Sequence, residues 1–313
     1  LITPAGVARG VTGAVWAAVE AAGLRVTNAR MVALATADAA VVSTECGAPL
    51  TAGDAVALEV GGEGGSAALA GVMVSLAASG STARGDVVVA PLAADAKMRN
   101  AFFGPKDGRL HSALDATSVG AECAVVLVLP TAVTKRQGGA VLAELYAGLA
   151  GGAGGAAASA AGGGRSGGGG GGGLRVTALG MYDIDRRCAE EFLEVYRHVL
   201  PDFPDYAAEL SSGSVIAVEV TGPDAVTRMR ALAGPRDVDV AKRIRYVVFV
   251  GWGVCCQCRR MVHPVPTPQL LRRPDTLRAK FGVSSAQPAV HCTDLVADGP
   301  LESEYIFSLL PQP

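Results

Sequence analysis

Aromatic side chains are scarce in this chain, at 5% of 313 residues, whereas glycine is abundant at 41. Bulky rings therefore cannot fill the interior, which must be built largely from Ala, Val and Leu, with considerable loop between elements. Charge of one sign is also lacking, since 27 Lys and Arg meet 29 Asp and Glu for a net −2. That balance argues against a general nucleic-acid surface or an anionic-membrane surface. No apolar run approaches the roughly 20 residues needed to span a bilayer, and no signal-peptide pattern is present. Cysteine is limited to seven residues, scattered except for Cys255-Cys256-Gln257-Cys258. Such usage points to a reducing compartment and free thiols.

What the chain does have is length for two domains and, at 50% apolar residues, enough material for a core in each. It also repeats itself. Leu24-Arg25-Val26-Thr27 followed by Met31 recurs as Leu174-Arg175-Val176-Thr177 followed by Met181. Gly53 through Val60 recurs as Gly213 through Val220, and Ile2-Thr3-Pro4 with Val7 recurs as Val128-Leu129-Pro130 with Val133. Met98-Arg99 before Phe103-Gly104 is matched with Leu277-Arg278 before Phe281-Gly282, and Leu110-His111 with Val290-His291. One domain thus occurs twice, over residues 1–120 and 121–313. The start at Leu1, directly before a Thr-Pro turn, reads as a fragment of a longer protein.

Each copy reads as strand, helix, strand, helix, strand, helices, strand, which implies an α/β or α+β layer structure. In the second copy Asp185 is expected to cap a helix whose Phe192, Leu193, Tyr196, Val199 and Leu200 share a face. Asp224 is expected to cap another helix that Gly234 closes. Two segments do not fit a compact domain. Residues 149–173 are Gly, Ala and Ser with a polyglycine tract, which cannot offset its ordering entropy and is expected to be a disordered insertion. Residues 246–269 form a second insertion, in which Cys255 and Cys258 make a Cys-x-x-Cys with His263 nearby. That is a weak zinc signal, since no second ligand pair stands at the usual spacing. An extra loop, or translated intron in the gene sequence, is the plainer reading of this insertion, and an apolar, Trp-containing insert with no obvious place to be buried favours the intron.

The stretch Pro288-Ala289-Val290-His291-Cys292-Thr293-Asp294, set between Arg278 and Glu302, has the composition of a site that handles phosphate on a histidine. Imidazole is a nucleophile near neutral pH, and phosphoryl transfer needs mainly positioning and cations around the equatorial oxygens. A lone histidine, however, is more often a packed or surface residue.

The neighbourhood adds a resemblance. Pro274-Asp275-Thr276-Leu277-Arg278-Ala279-Lys280-Phe281-Gly282, then Val290-His291-Cys292-Thr293-Asp294-Leu295, then Gly299-Pro300-Leu301-Glu302 resemble the C-terminal third of a nucleoside diphosphate kinase domain. They are most similar to the second domain of long two-domain members associated with cilia, where Cys follows the His. The resemblance implies an α+β fold of tandem ferredoxin-like βαββαβ sandwiches with antiparallel sheets, and a possible intrachain pseudo-dimer. It implies His291 as phosphohistidine nucleophile, Glu302 as its orienting partner and Arg230 and Arg278 on the phosphates. Tyr196 then matches a tyrosine near the site and Phe203 a base-stacking phenylalanine, with Mg²⁺ arriving on the nucleotide. Two positions depart from the pattern. Leu129 stands where the family has a lysine, and losing one such donor costs roughly 10²–10³ in rate. Pro288 replaces the asparagine that holds the sugar hydroxyl.

The first copy carries Thr3 at the lysine position and retains His111 and Arg99 as degenerate counterparts. Two functions follow from the resemblance. One is a mainly structural protein of the ciliary or flagellar axoneme, cytoplasmic and cytoskeletal, with tubulin or other axonemal microtubule proteins as partners and weak or no phosphotransfer. The other is an active nucleoside diphosphate kinase moving a γ-phosphate through His291. Neither nucleic acid nor a membrane is an expected partner.

Overall fold

The computed structural model describes residues 1–46, 50–83, 85–89, 95–103, 122–150, 173–243 and 276–310. In the first copy α1 (Pro4–Ala8) and α2 (Thr12–Ala21) precede β1 (Arg25–Leu34), α3 (Thr36–Cys46), β2 (Gly53–Gly61), α4 (Gly65–Ala78) and α5 (Asp95–Phe103). In the second copy β3 (Cys123–Val128) leads into α6 (Pro130–Thr134) and α7 (Gly138–Ala150), then β4 (Arg175–Asp183). Next come α8 (Arg186–Phe192), α9 (Phe203–Leu210), β5 (Ser214–Thr221), α10 (Ala225–Ala233), α11 (Val238–Arg243), α12 (Leu277–Phe281), β6 (Val290–Cys292) and α13 (Asp298–Glu304). Both expected insertions lie almost wholly outside the described residues, as does the joint near residue 120.

Local chemistry sets most of these boundaries. The Thr3 hydroxyl accepts the Gly6 N–H and Pro4 opens α1, a favourable pair at a helix start. Asp185 caps α8 as expected, accepting the Cys188 N–H at 2.8 Å. Gly234 closes α10 at φ 81°, a backbone conformation that suits glycine. Two expectations fail. Asp224 occupies the position before α10 in a left-handed conformation, and its side chain makes no cap bond there. The long amphipathic helix beyond Asp185 stops at Phe192 and continues as a 3-10 turn, Glu194–Tyr196, which leaves Val199 73% exposed.

Among the described residues, all six strands join one antiparallel sheet in the order β2-β1-β4-β5-β3-β6. The last four give the second copy its ferredoxin-like βαββαβ order, with helices as the crossovers. The α+β antiparallel architecture expected from the sequence is the one found. Every residue of β3 is buried, so this strand divides two apolar layers. Ala124, Val126 and Val128 face the layer under α2, α7 and α10, whereas Val125 and Leu127 face the layer holding Tyr182, Tyr206 and Phe307.

The first copy follows the same register. Thr3 N–H donates to Asp86 O at 2.8 Å, just as Leu129 N–H donates to Ala289 O at 2.9 Å. Ile2 bridges Val56 on one side and Val87 on the other, as Val128 pairs with Ile216 and Val290. Val87 therefore holds the place of Val290.

The copies meet at equivalent positions. Arg30 of β1 pairs with Gly180 of β4, six residues beyond Leu24 and Leu174 respectively. Across the helices, a Cβ on Gly13 would overlap the backbone of Ala143, and one on Gly139 would overlap that of Ala17. Small residues four apart on each helix thus allow α2 and α7 to approach backbone to backbone. Glu20 of α2 reaches across this contact and accepts the Gly139 N–H at 2.9 Å and the Trp16 indole N–H at 3.1 Å. Burial raises its pKa above the ordinary 4.5, although both bonds pull the other way.

Two predictions follow from this contact. Gly139→Val should cost about 2–4 kcal/mol, because a helix backbone must retreat, and urea unfolding measures it. For Glu20 the folded pKa exceeds the unfolded one, so its stability contribution is complete below pH 4.5 and is lost as pH rises through the folded value. Glu20→Gln should remove that decline, which urea midpoints between pH 4 and 8 would record.

Candidate functional site

His291 sits in β6 opposite Leu127, 3% exposed, with its ring among Phe192, Tyr196 and Tyr206. Nε2 lies 3.3 Å from Glu302 Oε1 on α13. The other carboxylate oxygen accepts the Thr293 hydroxyl at 2.5 Å, and that hydroxyl in turn accepts the Val125 N–H at 2.8 Å. A chain from the sheet backbone through Thr293 to Glu302 therefore orients the ring. A carboxylate beside Nε2 favours the tautomer with its proton there, which leaves the lone pair on Nδ1. That lone pair faces the Tyr206 hydroxyl at 3.2 Å. Burial pushes the Tyr206 phenol up to about 12, although Arg278 and Arg236 pull it down, so it stays protonated and acts as donor. The nitrogen suited to attack is thus covered by a phenol.

The other expected residues divide. Arg278 is 7% exposed and donates from Nε to Val290 O at 3.1 Å and from Nη1 to Gly234 O at 2.7 Å. One N–H thus braces the β6 backbone and another the end of α10. Arg230 pairs with Asp294 at 3.5 Å with both side chains well exposed, and Asp294 also accepts the Tyr196 hydroxyl at 2.9 Å. Burial, then the charges of Glu302 and Asp294, raise the Tyr196 phenol, so it too remains a donor. Asp294 therefore ties both expected residues to the loop after the histidine. Phe203 is different. It is 7% exposed in the apolar layer with Leu129 and Tyr206, and the Arg197 guanidinium lies 5.2 Å over its ring. It presents no open face for a base, so the stacking role expected of it does not fit this placement.

The departures from the motif have structural consequences. Leu129 is fully buried in the same apolar layer as Tyr206, where a lysine ammonium would be desolvated. Pro288 precedes Ala289, which adopts φ 66°, a conformation strained for a residue with a Cβ by about 1–2 kcal/mol. Glu209 steadies this approach, accepting the Thr131 N–H and hydroxyl at 2.8 and 2.7 Å and the Gln287 amide at 3.1 Å. Cys292 is no rival nucleophile, because burial pushes its thiol up to about 12.

Sequence reasoning missed Tyr206, Thr293, Glu209 and Arg236, whose guanidinium lies 4.4 Å over the Tyr206 ring. No spacing signal marks Tyr206 or Arg236; Thr293 was visible only as part of the motif. Since Val87 holds the place of Val290, Val88 stands at the register position of His291. Arg99 pairs with Glu59 at 2.9 Å. His111 lies outside the described residues, as do Cys255, Cys258 and His263. Among the described residues no group of three His, Cys, Asp or Glu could hold a metal ion, and no helix is long and apolar enough to cross a membrane.

No protein-family model matches the chain. Nucleoside diphosphate kinase homolog 7 of Rattus norvegicus is 34% identical over 135 residues, covering 43% of this chain and 27% of that protein. The chain thus matches only about a quarter of that relative's length. A nucleoside diphosphate kinase of Aquifex aeolicus is 27% identical over 136 residues, 44% of this chain and 75% of that protein. A solved Aquifex aeolicus nucleoside diphosphate kinase aligns with a TM-score of 0.40 at 24% identity, over 60% of this chain and 96% of that one. The architecture is α+β, and over 43–44% of its length the chain is similar in sequence to nucleoside diphosphate kinases. The homolog 7 proteins of Rattus norvegicus and Mus musculus, each 34% identical over 135 residues, are among those it resembles.

Thr293→Val should remove the hydroxyl that joins Glu302 to the sheet and leave a buried carboxylate oxygen short of its donor. The expected loss is about 1–3 kcal/mol in urea unfolding.

Proposed function

We propose that the chain serves mainly as a structural, microtubule-associated protein of the ciliary or flagellar axoneme, with weak or no phosphotransfer. The observation that carries the low-activity half of this reading is the Tyr206 hydroxyl on Nδ1 of His291. Leu129, buried where the resemblance implies a cation, supports it, as does a first copy with Val88 at the register position of His291. An apolar side chain cannot stabilise charge developing on a transferring phosphoryl group. The axonemal half rests on the resemblance to the homolog 7 type. The reciprocal packing of α2 and α7 supports an intrachain pseudo-dimer as the scaffold unit. Co-sedimentation with microtubules tests this role, and a protein that stays in the supernatant, and is absent from axonemal fractions, removes it. His291→Ala should leave axonemal incorporation intact.

One observation favours a second reading, phosphotransfer through His291: Glu302 already holds Nε2 and leaves Nδ1 as nucleophile. In that reaction Nδ1 attacks the γ-phosphorus of a nucleoside triphosphate, the bond to the β–γ bridging oxygen breaks, and the diphosphate leaves. A second diphosphate then attacks the phosphohistidine and restores the free imidazole. Mg²⁺ would enter with the nucleotide and neutralise phosphate charge. The Tyr206 hydroxyl must turn aside first. Incubation with γ-labelled ATP should give little acid-labile, base-stable label on the native protein. Tyr206→Phe should raise that label roughly fivefold, since a neutral hydrogen bond of about 1 kcal/mol is removed from the nucleophile. No label on either protein would end the phosphotransfer reading.

A further inference from the structure

The phenol that covers His291 is itself held in place. Tyr206 lies in the first turn of α9, 2% exposed, with its hydroxyl 3.2 Å from Nδ1 of His291. The Arg236 guanidinium stands 4.4 Å over its ring, and a cation over an aromatic face is attracted more strongly where water is kept out. Nη2 of the same guanidinium lies 3.2 Å from Oδ1 of Asp202, the residue just before α9. Asp202 in turn accepts the Tyr206 N–H on its carbonyl at 2.9 Å. Arg236 belongs to the short connection between α10 and α11. One side chain thus clamps the start of α9 at a carboxylate and at a ring one helical turn further on.

The clamp leaves donors unused. Nε and Nη2 of Arg236 are both buried, and neither makes an aligned hydrogen bond. A guanidinium offers its N–H groups as a planar fork that fits an oxyanion two at a time, and a buried donor without an acceptor is costly. The neighbouring arginines differ. Arg278 spends two donors on carbonyls, and the Arg230 side chain is 55% exposed, where water can serve its N–H groups. The Arg236 side chain, 23% exposed, is neither satisfied by the fold nor fully hydrated, yet solvent reaches part of it. It therefore gains most from an anion brought to the site.

We propose that Arg236 is the positioning residue that latches Tyr206 onto Nδ1 of His291, and that a phosphate group, free or carried on a nucleotide, opens the latch by drawing the guanidinium off the ring. The inference rests on the covered histidine of the proposed function. No bond to phosphorus is made or broken in this step. The anion takes the fork, the ring loses its cation, and the phenol is released to turn from the imidazole.

The test reads the imidazole nitrogen directly. In protein carrying histidine labelled with heavy nitrogen, NMR at mildly alkaline pH separates a hydrogen-bonded Nδ1 from a free one, and His291→Gln identifies the resonance. Tyr206→Phe should move that resonance to the free position. Arg236→Gln should move it most of the way there, and the double variant no further than Tyr206→Phe alone. Inorganic phosphate added to the native protein should shift it saturably in the same direction and should do nothing to Arg236→Gln. An effect of both phosphate and ADP assigns the latch to any phosphate group, and an effect of ADP alone assigns it to a nucleotide. No shift with either overturns the proposal. A shift in Tyr206→Phe without one in Arg236→Gln overturns the latch and leaves the covered histidine standing; Arg236→Met serves in its place should Arg236→Gln fail to fold. If Tyr206→Phe itself leaves the resonance unmoved, the covering falls and the latch with it.

Discussion

The constraint on which the rest depends is the backbone-to-backbone approach of α2 and α7. Gly13 against Ala143 and Gly139 against Ala17 leave no room for a larger side chain at either glycine. That approach brings β1 beside β4 at Arg30 and Gly180, merges two sheets into one and buries Trp16 and Leu142 beneath it. A chain short of aromatic residues gains from such fusion. Two small Ala- and Val-rich layers become one larger interior, with less surface for each residue of core.

The histidine site shows how a chain of buried hydrogen bonds fixes the geometry of one side chain. Glu302, Thr293 and Val125 still hold the imidazole in one orientation, and every group in that chain is buried and bonded. The other ring nitrogen is covered. A phenol faces it, Leu129 is buried nearby, and Arg278 donates to the carbonyls of Val290 and Gly234. The orientation is held because leaving a buried carboxylate unsatisfied would be costly.

His291 and Glu302 were legible because their order and neighbours form a dense motif, and the copies were legible because β-branched strand segments recur. The shared sheet was not, since a β1–β4 pairing leaves no local signature. In the first copy the dipeptide Leu110-His111 imitates Val290-His291, yet backbone register gives the place to Val88. Tyr206 was unreadable for another reason. Its role depends on a contact across 85 residues, which no spacing rule supplies.

The contact between α2 and α7 also bears on how the molecule responds to dilution. Separate subunits keep an interface only while concentration exceeds the dissociation constant, so their stability falls as they are diluted. Here both halves of the contact belong to one polypeptide, and its closure is governed by an effective concentration that the connecting chain fixes. A single molecule keeps the contact as well as a crowded solution does. The second copy can therefore rely on the first as a permanent buttress.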